Sequence, residues 1–124
     1  MHNIIKTKID QLVDQLHKSE QLSKLITGIF YNIPANQNYP FIHLTNINIK
    51  NYPLKTIEAK EVVFDMIIYT KSNDFAKLNL ISDLVAHNLS DQSELILQNS
   101  KITITSKTNI YENKMTVKAI IFGD

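Results

Sequence analysis

Apolar residues along the chain recur with two periods. Over residues 3–18, Ile5, Ile9, Leu12, Val13 and Leu16 fall on one face of a helix, with Lys6, Lys8, Asp10, Asp14 and Gln15 mostly elsewhere on the cylinder. Ser19 is placed to cap a second short helical turn running to Leu25, and Gly28 to close it. The stretch Ile29–Leu44 forms the junction between helix and sheet. It has an apolar start (Ile29, Phe30, Tyr31), Pro34 after Ile33, and a polar turn at Ala35, Asn36, Gln37 and Asn38. Tyr39-Pro40 then leads into an alternating run. Proline restricts the residue before it to extended conformations, so Ile33 and Tyr39 should be extended with a short loop between them.

Period-two alternation predicts a first strand near Phe41–Ile49. Ile42, Leu44 and Asn46 fall on one face, and His43, Thr45 and Ile47 on the other. Asn48 to Pro53 reads as a loop. The strongest strand is 59–70. Val62, Phe64, Met66 and Ile68 share one face; Val63, Asp65, Ile67 and Tyr69 share the other. Both faces are apolar at the centre, which predicts a central strand covered on each side, one side by another chain. Ser72, Asn73 and Asp74 offer a helix cap, with Asp74 in the first turn. Phe75, Leu78, Ile81, Leu84, Val85 and Leu89 then follow at helical spacing to about Asn88. Residues 90–98 read two ways: Leu95-Ile96-Leu97 fits a short strand or a loop packed on the core. The last quarter reads as a hairpin. Ile102 and Ile104 alternate with Thr103 and Thr105, Glu112-Asn113 forms the turn, and Met115, Val117, Ala119 and Ile121 alternate on the return. The expected fold is α+β: a mostly antiparallel four-stranded sheet with two amphipathic helices, in the order helix-strand-strand-helix-strand-strand.

With 124 residues the chain suits one domain, 1–124, long enough to bury a real core. All 13 basic residues are lysines, so one chain offers no bidentate guanidinium clamp for phosphate or carboxylate. Against 12 acids they leave a net charge of +1, which gives no general pull toward nucleic acid. The absence of Cys excludes disulfides, thiolate nucleophiles and Cys-based metal sites. No apolar run reaches the ~20 residues of a membrane span. The start, Met1 to Lys6, lacks the long apolar core of a signal peptide, so the expected place of synthesis and assembly is the cytoplasm.

Candidate chemistry is sparse. His2, His17, His43 and His87 lack the spacing that puts two metal ligands on one helix face, and they read as ordinary surface or edge residues. His43 is set apart only by lying beside the junction loop. Asp65, inside an apolar strand, needs a partner or solvent. It reads as an acid in a pocket, a subunit contact or, more plainly, a solvent-facing position. Glu58 to Glu61 reads as a solvated strand start. With two glycines there is no phosphate cradle, and no nucleophile elbow is present. Tyr31, Tyr39 and Tyr52 gather near Phe30 and Phe41. Such a cluster could stack bases, but without a lysine patch it is better read as core packing or an interface anchor. No catalytic, cofactor-binding or metal residue is expected. A small ligand- or nucleic-acid-binding α+β module is the alternative that residue chemistry leaves open.

Three features together resemble the small tail-completion proteins of long-tailed bacteriophages, the family of tail terminators and head–tail joining proteins. They are the IFYNIPANQNYPFIHL element, the strand Glu61–Thr70 ending in Tyr69-Thr70, and the helix Phe75–Leu89 followed by a hairpin. They span roughly residues 25–122. The resemblance implies a non-enzymatic α+β domain that forms a ring, usually a hexamer. That ring sits on the head-proximal end of a tail tube, stops its growth and joins the head connector. The implied partners are other copies of the chain, the major tail tube protein and the connector, with no membrane and no sequence-specific nucleic acid. The implied setting is a phage, prophage or gene-transfer-agent particle. A closed ring needs two different patches that meet each other. They are expected at loop Asn32–Tyr39 and the C-terminal hairpin, with Tyr31, Asn36, Tyr39, Phe41, His43, Asp65 and Tyr111 as contact residues.

Overall fold

The computed structural model describes residues 2–51, 59–71, 73–91, 95–105 and 109–122. Its helices are α1 (His2–Lys18), α2 (Glu20–Leu25) and α3 (Phe75–Ser90). Its strands are β1 (Ile29–Phe30), β2 (Phe41–Asn51), β3 (Ala59–Lys71), β4 (Leu95–Thr105) and β5 (Ile110–Phe122). The strands form one sheet in the order β1-β2-β3-β5-β4. The β2–β3, β3–β5 and β5–β4 pairs are antiparallel, while β1 runs parallel to β2. No helix among the described residues is long and apolar enough to cross a membrane.

All three helices pack on one face of the sheet. Ile9, Leu12 and Leu16 of α1, Leu22 of α2, and Leu78, Ile81, Val85 and Leu89 of α3 share one core with Ile42, Leu44, Val62, Phe64, Met66, Ile68, Met115 and Val117. This is the helical period locking onto the strand period, and most of the residues expected on those faces are there. The side chain of Ile5 lies outside the described residues. Phe75 departs from its expected core position. It is exposed, and its ring meets Tyr111 edge-on at 5.6 Å.

The fold is α+β as expected, but among the described residues the sheet has five strands rather than four, and there are three helices rather than two. β1 is only two residues long, too short for any alternation to show. The short turn after Ser19 is a true helix, with the Ser19 hydroxyl accepting from the Leu22 amide at 3.3 Å. It ends at Leu25 because Ile26 turns extended, so Gly28 does not close it. Gly28 serves close packing instead: a β-carbon there would lie 2.5 Å from the Phe30 ring.

Three further expectations are corrected and one open reading is decided. Asn48–Asn51 continue β2 and pair with β3, so they are not a loop; Pro53 lies outside the described residues. Glu112 and Asn113 lie inside β5, opposite Thr103 and Ile102, so the turn comes earlier, next to Asn109 with its positive φ of 54°. Asn113 is tolerated within a strand because both ends of its side-chain amide are hydrogen-bonded, as described below. Leu95–Leu97 begin an eleven-residue strand, which resolves the ambiguity of residues 90–98. Asp74 occupies the N-cap of α3, but its side chain makes no cap hydrogen bond, and the first turn holds no acid. Ser72 lies outside the described residues.

β3 is central, as its two apolar faces suggest. No described element covers the face opposite the helices. Across it run the rows Phe41–Tyr69–Glu112–Thr103, His43–Ile67–Lys114–Lys101, Thr45–Asp65–Thr116–Asn99 and Asn48–Val63–Lys118–Ile96.

Candidate functional site

The sheet register gathers most of the expected contact residues at one end. Phe41 opens β2 and pairs with Tyr69 near the end of β3. Their rings lie 5.2 Å apart, the Tyr39 ring is 5.2 Å from Phe41, and the Phe30 ring approaches Phe41 edge-on at 6.2 Å. Phe41 is thus the hub, only 4% exposed, with Tyr39 and Tyr69 half-buried around it. Such ring pairs add about 0.5–1.5 kcal/mol each beyond area burial. Burial, then the nearby Glu112 carboxylate and Tyr39, push the Tyr69 hydroxyl above its ordinary value. Sequence reasoning placed Tyr39, Phe41 and Phe30 together. It missed Tyr69, because cross-strand register cannot be read from one strand's pattern.

The loop between β1 and β2 is exposed but pinned. Thr27 is the pin, another residue that the sequence did not mark out. Its amide donates to the Pro40 carbonyl at 2.8 Å. Its hydroxyl donates to the Asn38 carbonyl at 2.7 Å and accepts from the Gln37 side-chain amide at 2.8 Å. Asn36 takes a positive φ of 61° at the loop tip, a conformation that asparagine tolerates better than most residues. The Tyr39-Pro40 peptide is cis.

Tyr31 stands outside the ring stack. Its hydroxyl donates to Asp10 of α1 at 2.9 Å, and Lys6 holds the other oxygen of that carboxylate at 3.0 Å. Those two hydrogen bonds, from Lys6 first and then Tyr31, hold the Asp10 carboxyl below its ordinary value. Burial, together with the Asp10 bond, pushes the Tyr31 hydroxyl up to about 12. His43 Nε2 lies 3.1 Å from the Tyr31 carbonyl, so that nitrogen carries the proton that is shared. Tyr52 lies outside the described residues.

Asp65 sits at mid-sheet, away from this end, and is 9% exposed. It therefore does not face solvent. One carboxylate oxygen accepts from Asn46 Nδ2 at 2.8 Å, the other from the Thr116 hydroxyl at 2.7 Å. Asn46 reaches it because β2 bulges between Thr45 and Asn48, with Asn46 at a positive φ of 54°. The bulge moves Asn46 off the face of Ile42 and Leu44, where strict alternation had put it. Glu61, expected in a solvated strand start, is also buried, and Lys50 and Lys118 bracket it at 2.8 and 2.9 Å. Glu58 lies outside the described residues.

Tyr111 is at the same end of the sheet as Phe41 but on the helix face, against Phe75. Beside it, Asn113 links three elements: its amide donates to Ser82 of α3 at 2.8 Å, and its carbonyl accepts from Ser100 of β4 at 2.9 Å. The Ser82 hydroxyl donates in turn to the Leu78 carbonyl at 2.7 Å.

Among the described residues no ionisable groups converge on a reacting atom. His43 and Asp65 share a face in adjacent rows, yet each is bonded to other groups. His17 and His87 are exposed, the latter 4.0 Å from Asp91, and the side chain of His2 lies outside the described residues. No group of three potential metal ligands occurs among the described residues. A groove between α1 and the sheet is lined by Ile9, Leu12, Val62, Phe64, Leu95, Ala119 and Ile121, with Lys8 as its one ionisable residue. The candidate site is a surface: a stacked aromatic end with a pinned, exposed loop.

A comparison with curated proteins gives no significant match. Among solved structures, a chain of the "Virion of native gene transfer agent (GTA) particle" superposes with a TM-score of 0.77. It is 17% identical, and the match covers 90% of this chain and 92% of that one. At that identity the likeness establishes a shared fold. The profile of the family described as "Tail completion protein gp17" matches residues 10–121, nearly the whole chain. The chain belongs to the tail completion protein gp17 family and is a structural protein of a phage tail.

Proposed function

We propose that copies of this chain form a closed ring, a hexamer, on the head-proximal end of a phage-like tail tube. The ring ends tube growth and offers the head connector its docking surface. The family match over residues 10–121 carries this reading, and the fold shared with a chain of a gene-transfer-agent virion supports it. The chemistry is compatible: the carboxylates of Asp65 and Glu61 are committed to internal partners. The protein works by shape rather than by making or breaking bonds. Its partners are its own copies, the tube protein and the connector. It acts first in the cytoplasm and then within the particle.

In this reading the loop Asn32–Tyr39, with Tyr31, Asn36, Tyr39 and His43, is one contact patch, and β5 around Tyr111 contributes to another. Phe41 supports the first patch from beneath, and Asp65 holds the sheet between them. The Thr27 pin fixes the loop before contact, which lowers the ordering cost of docking. Particles assembled without the chain should show tubes of uncontrolled length and no joined heads. Tubes of normal length joined to heads would overturn the proposal. Restoring the chain as Tyr39→Ser should leave the monomer folded but reduce head joining; full joining would remove the loop from the contact surface.

A further inference from the structure

The sheet has two open edges. No described strand pairs with the outer edge of β4, and β1 covers β2 only at Ile42 and His43. Beyond those two residues the outer edge of β2, as far as Asn51, has no described strand beside it. An open edge presents unpaired amides and carbonyls, a ready template for another strand. Exposed large apolar residues concentrate at these same edges: Ile47 and Ile49 on β2, and Ile96, Leu97 and Ile102 on β4.

Three geometric facts make the two edges complementary. First, β2 is antiparallel to β3, β3 to β5, and β5 to β4, so β4 runs opposite to β2. A second copy set beside the first, turned about an axis along the strands, brings its β2 against β4 in antiparallel sense. Second, both edge strands bulge at one level. The β2 irregularity lies between Thr45 and Asn48, and that of β4 between Leu97 and Asn99. Thr45 and Asn99 both stand in the row of Asp65. Bulges bend and twist a strand, so edges bent at the same height fit one another and curve the sheet as it continues. Third, continued at the same level, the registers set Ile96 beside the neighbour's Asn48 and Leu95 beside its Ile49. Ile49, exposed in the single chain, then gains Leu95 as an apolar neighbour, and the segments Ile47–Asn48 and Ile96–Leu97 adjoin across the seam. A two-fold pairing of β4 with itself fits less well. Centred on Ser100, it sets each Lys101 opposite Asn99 with the two lysines as diagonal neighbours on one face, and it leaves Ile47 and Ile49 bare.

We infer that β4 of one copy pairs antiparallel with the outer half of β2 of the next, carrying the sheet across the seam between subunits. The inference rests on the ring reading for its closure but not for the pairing itself. A head-to-tail contact of this kind yields a ring when the rotation closes and an open string when it does not.

The chain has no cysteine, so introduced ones report cleanly. Full-length chains carrying Ile96→Cys and Asn48→Cys, both at exposed edge positions, are mixed at high concentration, with and without tail tubes, and oxidised. The inference expects the mixed disulfide to exceed either homodimer several-fold and to occur within the oligomer seen by native mass spectrometry. Amides of β4 and of Leu44–Asn51 should also exchange several-fold more slowly in the assembled wild type than in the dissociated chain. Rings without the mixed disulfide and without that protection overturn the seam while leaving the ring reading intact. A dominant disulfide homodimer of the Ile96→Cys chain overturns it in favour of a two-fold contact. The mixed disulfide in open strings, never rings, upholds the seam and overturns the ring. Monomers alone, even with tubes present and with no mixed disulfide, overturn both.

Discussion

The two faces of β3 are built from alternate residues of one strand but are held by different chemistry. Toward the helices, Val62, Phe64, Met66 and Ile68 are sealed among other apolar side chains. Away from them, Asp65 and Glu61 are also buried, with no described element above them. Their burial comes from neighbours in the sheet itself, through Asn46 and Thr116 for one and Lys50 and Lys118 for the other. The first face needs volume and shape. The second needs particular partners at particular register positions, because a buried carboxylate without them is costly. One strand can thus serve as the centre of a core and as an open surface.

Breaking the helix face should cost most. Phe64 is 1% exposed, and Phe64→Ala should remove about 3–5 kcal/mol of stability through lost transfer energy and a cavity. The half-buried Val63 next to it faces the open side, and Val63→Ala should cost less than about 1 kcal/mol by losing only partly buried methyls. Urea midpoints at unchanged slope measure both. Equal losses would mean that the open face is covered in the isolated chain after all.

The polar centre of the open face comes next. Asp65→Ala strands the Asn46 amide and the Thr116 hydroxyl, and should cost about 1.5–3 kcal/mol, the range for hydrogen bonds to a charged group. Asp65→Asn keeps one acceptor oxygen and should cost less. The combination of Asp65→Ala with Thr116→Val should be clearly less destabilising than the sum of the two single changes, since the second removes a group already stranded. Strict additivity would show that the two residues act independently.

This difference between faces also marks the limit of what the sequence could tell. Period-two and helical spacing sufficed for β3, for most of α1 and for the core face of α3, because burial on one side imposes a pattern within a single segment. They failed where the deciding partner is distant in sequence. Asn113 looked like a turn residue because its partners, Ser82 and Ser100, lie on other elements. Asn48–Asn51 looked like a loop because Asn, Lys and Pro interrupt the pattern there, while the partners that make them strand, Val63 to Lys60, lie on β3. At the candidate site, the aromatic and proline content of Ile29–Leu44 was visible. The stack on Tyr69 and the Thr27 pin were not, because both depend on register between strands or on contacts from the chain before the loop.

The smallest expected effect belongs to the tie between the aromatic end and α1. Tyr31 is exposed and its bond to Asp10 lies in solvent, so Tyr31→Phe should cost only about 0.5 kcal/mol near neutrality. Its pH dependence is more informative than its size. Folding raises the Tyr31 hydroxyl from 10.0 to about 12, so its contribution is complete below pH 10.0 and lost as pH rises through about 12. Folding lowers the Asp10 carboxyl, so that contribution is present above 3.8 and lost as pH falls through the lowered folded value. The stability difference between wild type and Tyr31→Phe should therefore form a plateau that declines at both ends. Chemical denaturation across pH, with Asp10→Asn as a second variant, measures its shape. A difference that stays flat through the acid limb would show that Tyr31 is held by packing and its carbonyl contact with His43, and that the carboxylate of α1 contributes nothing to fixing this end of the sheet.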